Sequence, residues 1–480
     1  MILRIIILFV PSLLGLLWQD DPWISLAWSF AGSLLIAGTA QTLWFSQSNE
    51  DVPITHRLLR PMFIYHFFFV GYHVVGGVVN SWDLAGYTLW GTPAGQSEYE
   101  LSLNATAQGL MLLAQASVTA GMKLAGLRYG PPKYVIAFLP PYGLLVLSLS
   151  CLVVANALSS FALLSNLNEK ILQIASTAVL VEITLALSHR KFKNAAWAIS
   201  LLCVNLLSQI VSGWKGLSLW TMITLGALLY PLMPRRVLLS GVSFVLFWAL
   251  YLHPFGLALR PLLWYEGVDR ETAIAQSIDE TLSMSFEERL ENVWTLMTGR
   301  ANDLYQFRKY LEFVPNVRPY FGIDLLVQAH IGLVPRILWP EKPDLEILAM
   351  QRVYDAEIAR EQSGVSAKSN FYQDAYLSWG WSGVLIAGVI FGFLGIFISR
   401  TCEQLFGGYE IGTCLIFTSL FAPTFNMAPN FLFFAGTIWS SVIVMIAVFY
   451  IAHALGWIVA AEPSVRAALP EATVVEGPTV

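Results

Sequence analysis

Two cations stand six residues apart in the stretch LVPRILWPEKPDL, Leu333 to Leu345. Arg336 follows Pro335, and Lys342 precedes Pro343. Proline fixes φ and cannot donate to a helix ladder, so the stretch reads as a rigid, irregular turn that presents positive charge. Two such cations suit a diphosphate, because a turn that is already ordered lowers the cost of binding. The plainer reading of Arg336 is a side chain that snorkels to lipid headgroups. His330, six residues before Arg336, is of the side-chain type that ordinarily titrates near neutral pH. It is a candidate proton acceptor or an ordinary interfacial residue. Trp339, within the turn, is a candidate sugar-stacking ring.

Three further positions carry chemistry of the same kind. Arg300 takes the missing place in an apolar stripe of Leu290, Val293, Met297, Leu304, Phe307 and Leu311. A guanidinium on such a face needs an anion, because an unpaired buried charge is costly. Its planar fork suits a phosphate; Asp303 is the internal alternative. Lys215 lies in the short turn SGWKG, between Gly213 and Gly216, at the depth where a lipid diphosphate would sit. In FYQDAYLSWGWSG, Phe371 to Gly383, Asp374 is a candidate base for an acceptor hydroxyl. Tyr372 and Tyr376 flank it. With Trp379 and Trp381 they read as interfacial anchors or as rings that stack on a sugar.

What must position these residues is a membrane bundle. Of 480 residues, 56% are hydrophobic and 12% charged, about half the charge of a soluble chain. Apolar runs long enough to cross a bilayer as helices recur at roughly 2–18, 22–44, 60–80, 105–122, 134–157, 171–188, 195–212, 217–233, 237–257, 375–398, 409–425 and 431–455. The fold class is an all-α polytopic membrane protein with about 12 spans. Lys and Arg fall in alternate short loops: Arg57 and Arg60, then Lys123, Arg128 and Lys133, then Arg190, Lys191 and Lys193, then Arg235 and Arg236, then Arg400. That bias puts these loops, and both termini, in the cytoplasm. Lys215 breaks the pattern, which singles it out.

Residues 1–257 hold nine spans, 258–374 form a large outward-facing and mostly helical loop, and 375–455 hold three more spans. The polar tail, 456–480, is expected to be disordered. The loop is too long for a structureless connector. Inside it, 285–314 reads as one helix, opened by a Ser285/Glu288 capping box and weakened at Gly299. The chain has no Walker loop, no HExxH and no nucleophile elbow. Its four cysteines lack metal-ligand spacing. No metal, cofactor or nucleic acid is expected. Charge within the spans is confined mainly to Glu182, less than an ion-coupled transporter ordinarily carries.

The segment YFGIDLLVQAHIGLVPRILWPEKPDL, Tyr320 to Leu345, resembles the Wzy-type oligosaccharide repeat-unit polymerases of O-antigen and exopolysaccharide synthesis. The likeness rests on Pro335–Arg336, Trp339–Pro340 and Lys342–Pro343, and on the lone Arg300 upstream. The run Trp379, Gly380 and Gly383 adds an aromatic-Gly-x-x-Gly pattern. The close match covers roughly residues 290–390. Lys215 stands where the family often carries an arginine, and lysine is the weaker bidentate partner.

The resemblance implies an inverting, metal-independent glycosyltransferase of GT-C-like membrane fold at the outer face of the bacterial cytoplasmic membrane. It implies a lipid-linked oligosaccharide substrate, a glycan on undecaprenyl diphosphate that is moved onto the next repeat unit. A chain-length regulator is the partner protein to look for. Lys215, Arg300, Arg336 and Lys342 would grip the diphosphate, and Arg300 and Arg336 would stabilise the departing charge. His330, Asp374 or an acid in the 258–374 loop would take the acceptor proton. Enzymes that ligate O-antigen to a lipid core share these features. A lipid flippase or transporter and an export scaffold are the remaining alternatives.

Overall fold

The computed structural model describes residues 2–18, 20–41, 57–91, 97–126, 128–137, 142–159, 161, 165–212, 215–300, 303–336, 338–361 and 367–461. The chain opens with α1 (Ile2–Leu17) and α2 (Pro22–Gln41), packed on each other. Next, α3 (Pro61–Phe69) passes through a π-helical stretch, Val70–Val75, into α4 (Gly76–Leu84). The long α5 (Glu98–Ala125) is followed by β1 (Tyr134–Ile136). A run of helices packed neighbour on neighbour comes next: α6 (Gly143–Ser159), α7 (Ser165–Ser188), α8 (Phe192–Val211), α9 (Lys215–Leu229) and α10 (Pro234–Phe247). Through π-helical Trp248–Leu252, α10 continues into α11 (His253–Trp264).

The polar region holds α12 (Arg270–Ser283), α13 (Phe286–Thr295) with a π-helical extension, Leu296–Arg300, and α14 (Leu304–Phe313). It goes on through α15 (Asp324–Leu333) and α16 (Leu345–Asp355). The chain then forms α17 (Phe371–Leu405), π-helical Tyr409–Phe417, α18 (Thr418–Leu420), α19 (Ala422–Met427), α20 (Phe431–Ala454) and β2 (Ile458–Ala460).

Among the described residues, seven helices are long and apolar enough to cross a membrane: Pro22–Ala40, Pro61–Leu84, Leu167–Ser188, Phe192–Val211, Pro234–Trp264, Phe371–Leu405 and Phe431–Ala454. Four shorter apolar helices accompany them, Ile5–Leu17, Gly143–Ser159, Gly216–Leu229 and Tyr409–Leu420. At the centre, α5 is buried continuously from Ala107 to Lys123. Small residues let it meet α17 backbone to backbone. A Cβ added at Gly121 would lie 2.0 Å from the Val389 carbonyl oxygen, and one at Gly392 would lie 2.0 Å from that of Val118. This is how membrane helices gain packing when lipid is as apolar as their side chains.

Several expectations change in the structure. The run at 134–157 starts as a strand, not a helix: β1 pairs antiparallel with β2, Tyr134 opposite Ala460 and Ile136 opposite Ile458. Prolines 131, 132, 140 and 141 bracket it and exclude a helix interior. The expected tail therefore begins with a strand, and residues after Ala461 lie outside the described ones. The helix expected over 285–314 keeps its Ser285/Glu288 capping box. It loosens to a π-helical turn at Leu296–Arg300 and restarts at Leu304. The apolar helix expected to end at 257 continues to Trp264.

The largest change is in α17. Trp379 (φ −144°, ψ 22°) and Gly380 (φ 60°, ψ −140°) break its helical path. The Phe371 and Phe391 rings are 5.0 Å apart, where a straight helix would separate them by ~30 Å. Residues 371–378 therefore fold back along the limb that follows Gly380. Hydrophobic periodicity does not place this reversal, which turns on the positive φ of Gly380.

Candidate functional site

The turn after α15 is braced by its own cations. Arg336 Nη1 donates to the Lys342 carbonyl at 3.2 Å, and Lys342 Nζ donates to the Val334 carbonyl at 2.8 Å. Among the described residues neither forms an ion pair with a carboxylate. Lys342 is buried. Burial pushes its ammonium pKa down, and the nearby Arg336 guanidinium pushes it further. Trp339 is half-buried in the same turn, and its N–H bonds the Pro335 carbonyl. α15 fixes the approach to this turn by packing on α20. A Cβ at Gly332 would lie 2.3 Å from the Leu432 carbonyl oxygen, and Trp439 Nε1 donates to the Gly332 carbonyl at 3.4 Å. His330, on α15, is exposed, and its Nδ1 contacts the Val327 carbonyl.

Asp374 is placed differently from a base that faces an acceptor. It lies on the folded-back limb of α17 with no exposure. Arg352 Nε is 3.0 Å from Oδ1 and Nη2 is 3.0 Å from Oδ2. Ser369 Oγ donates to Oδ1 at 2.6 Å, and the Phe431 N–H donates to Oδ2 at 3.0 Å. Arg352 Nε itself donates to Ser369 Oγ at 2.9 Å, so this carboxylate accepts three hydrogen bonds inside a closed ion-pair network and is not presented to a substrate. Its geometry ties α16, the folded-back limb and the start of α20 together. Arg352 also reaches Gln328 Oε1 at 3.3 Å.

Tyr372 and Tyr376 lie inside the bundle, not on an open sugar platform. The Tyr372 hydroxyl is 2.9 Å from that of Tyr65, and the Tyr376 hydroxyl donates to the Val314 carbonyl at 3.2 Å. Both rings are buried among aromatic neighbours, Phe391 for Tyr372 and Phe307 for Tyr376. The Trp379 ring, at the reversal, is exposed. Lys215 begins α9, and Arg300 ends the π-helical turn. The side chains of both lie outside the described residues.

A second polar cluster surrounds Asp303. The Tyr72 hydroxyl donates to its Oδ1 at 3.1 Å, and Asn370 Nδ2 donates to its Oδ2 at 2.7 Å. Gln373 Nε2 donates to the Asp303 carbonyl at 3.2 Å. Asn370 and Gln373 also form the capping box of α17. The cluster thus joins the π-helical stretch of the α3–α4 helix, the restart at α14 and the first turn of α17. Among the described residues, no group of three or more His, Cys, Asp or Glu side chains is placed to hold a metal ion.

One family model, described as a domain of unknown function, DUF8712, matches residues 10–459. The chain belongs to the DUF8712 family. No curated protein and no solved structure matches it. In this DUF8712 chain the fold brings Arg336, Lys342 and Trp339 into one turn and sets Tyr372 and Asp374 in the core. Sequence reasoning missed Arg352, although it carries the signal that marked Arg300. It is a lone cation on an apolar face with Ala349, Met350 and Val353, all buried. Asn370 was legible as the first residue of an Asn-x-x-Gln capping pattern.

Proposed function

We propose that this protein is a membrane glycosyltransferase that polymerises oligosaccharide repeat units carried on undecaprenyl diphosphate. It works at the outer face of the bacterial cytoplasmic membrane, with about 12 membrane passages in a GT-C-like arrangement and both termini in the cytoplasm. The observation that carries this reading is the braced turn. Arg336 and Lys342 are held close enough for one charge to oppose the other, and no carboxylate among the described residues neutralises them. Such a turn favours an anion with two charged groups. Among the described residues Arg336 commits one of its five N–H donors, to the Lys342 carbonyl. Donors aimed at a departing diphosphate stabilise charge as it develops. Arg300 and Lys215 are the further cations assigned to the same anion, and Trp339 is assigned to the sugar.

The test is a gel of surface polysaccharide from the native host, comparing wild type, a deletion and Arg336→Ala at matched membrane levels. The expected result is a ladder in wild type and a single-repeat band in both mutants. An unchanged ladder in Arg336→Ala would remove the turn from the mechanism. A full ladder stranded on the lipid carrier in the deletion would make the protein a ligase. Loss of every outward-facing repeat would make it a flippase.

A further inference from the structure

Two buried or half-buried aspartates stand beside the first turn of α17, and their hydrogen bonds separate their roles. Of the roughly four lone-pair positions of a carboxylate, Asp374 engages three, with Arg352 Nη2, Ser369 Oγ and the Phe431 N–H, and Arg352 Nε stands 3.0 Å from Oδ1 as well. Among the described residues Asp303 engages two, with Tyr72 and Asn370. Asp303 is partly exposed, and Tyr72 is 37% exposed, in contrast to the fully buried Asp374. The two donors orient it from separate elements. Tyr72 lies on the π-helical stretch and Asn370 caps α17. π-Helical turns are frequent at functional positions, and a second one, Leu296–Arg300, ends three residues before Asp303.

His73 completes the cluster. Its ring lies 4.7 Å from that of Phe69 and 5.0 Å from that of Tyr72. It is buried, within electrostatic reach of Asp303, and among the described residues its Nδ1 has no hydrogen-bond partner.

We propose that Asp303 accepts the proton of the incoming sugar hydroxyl, with Tyr72 and Asn370 as positioning residues; this rests on the polymerase reading. The acceptor oxygen forms its bond to the anomeric carbon as that carbon's bond to the diphosphate oxygen breaks. The electron pair leaves with the diphosphate. The hydroxyl proton passes to a free lone pair of Asp303 and from there to water.

The experiment compares wild type, a deletion, Asp303→Asn and Tyr72→Phe in the native host, with membrane level and melting temperature measured for each. Single-repeat lipid extracted from the deletion strain then serves as the substrate for the purified proteins. Asp303→Asn is expected to reduce chain formation about 100-fold or more, the range for losing a positioned base, while still binding the single-repeat lipid. Tyr72→Phe is expected to lower turnover with little change in that binding. A full ladder from Asp303→Asn, with a single-repeat band in the deletion, would overturn this assignment and leave the polymerase reading standing. A full ladder in the deletion would overturn the polymerase reading and this assignment with it. Should Asp303→Asn fail to accumulate, Asp303→Glu keeps the base but displaces it. Shortened chains then support the assignment, and a wild-type ladder overturns it.

Discussion

Arg352 and Asp374 are joined side-on, Nε to Oδ1 at 3.0 Å and Nη2 to Oδ2 at 3.0 Å, with both side chains almost fully buried. Removing one partner of such a pair strands the other charge, which costs roughly 3–5 kcal/mol. Arg352→Met and Asp374→Leu are each expected to lower the melting temperature sharply. The double variant leaves no stranded charge, so it should lose less than the sum of the two. Melts of all four proteins in one membrane mimetic form the cycle that measures this coupling. Additive losses would mean the pair acts as two independent contacts.

At the far end of α17, Arg60 makes a second buried pair. Its Nε and Nη2 each donate to Glu403 at 2.9 Å, and its guanidinium lies 3.7 Å from the Tyr129 ring centre. Thr413 Oγ1 donates to the same carboxylate at 2.7 Å. Lysine keeps the charge but loses the two-point bond and the flat face that stacks. Arg60→Lys should therefore fall between wild type and Arg60→Ala in thermal stability. If Arg60→Lys melts with wild type, charge alone holds this latch and the ring contact contributes nothing.

Lys342 supplies a dependence on pH. Burial first, and Arg336 second, hold its ammonium below the ordinary value of 10.5. Between the folded value and the unfolded one, the unfolded chain binds more protons, so this group makes stability rise with pH across that window. The comparison is with Lys342→Met, which removes this group alone. Melting temperature of wild type should climb relative to that variant as pH rises through the window below 10.5. A constant difference would place the Lys342 amine in open solvent.

Much of the helix framework was legible because apolar runs of membrane length declare themselves. Such runs lie behind Pro22–Ala40, Phe192–Val211 and Phe431–Ala454 alike. α5 was legible too, although its amides Asn104, Gln108 and Gln115 dilute the pattern. The strand Tyr134–Ile136 was hidden because its partner lies over 300 residues later, at Ile458–Ala460. The turn at Arg336 was legible because its prolines and cations are adjacent in sequence. Asp374 invited a role as base because its neighbours there are Tyr372 and Tyr376, whereas what sets its chemistry is Arg352, 22 residues away. Asp303 depends on Tyr72, 231 residues away, and no local pattern announces such a pair.

The reversal in α17 yields the sharpest contrast among glycines. Gly380 has φ 60° and ψ −140°, a combination that glycine adopts freely and a side chain resists. Its missing Cβ would also stand 3.0 Å from the Tyr320 hydroxyl oxygen. Alanine there is expected to cost about 1–3 kcal/mol. Gly383 is tighter, since a Cβ would lie 2.0 Å from the Ala375 carbonyl oxygen, and backbone cannot swing aside as a side chain does. Gly383→Ala must open the folded-back limb and should destabilise at least as much as Gly380→Ala. Gly299 is the control, because nothing lies within 4 Å of a Cβ there. Gly299→Ala should be neutral or gain up to about 1 kcal/mol of helix propensity. Thermal melts of the three variants in one membrane mimetic test the order. A wild-type melt for Gly383→Ala would mean that residues 371–378 do not fold back on the limb that follows.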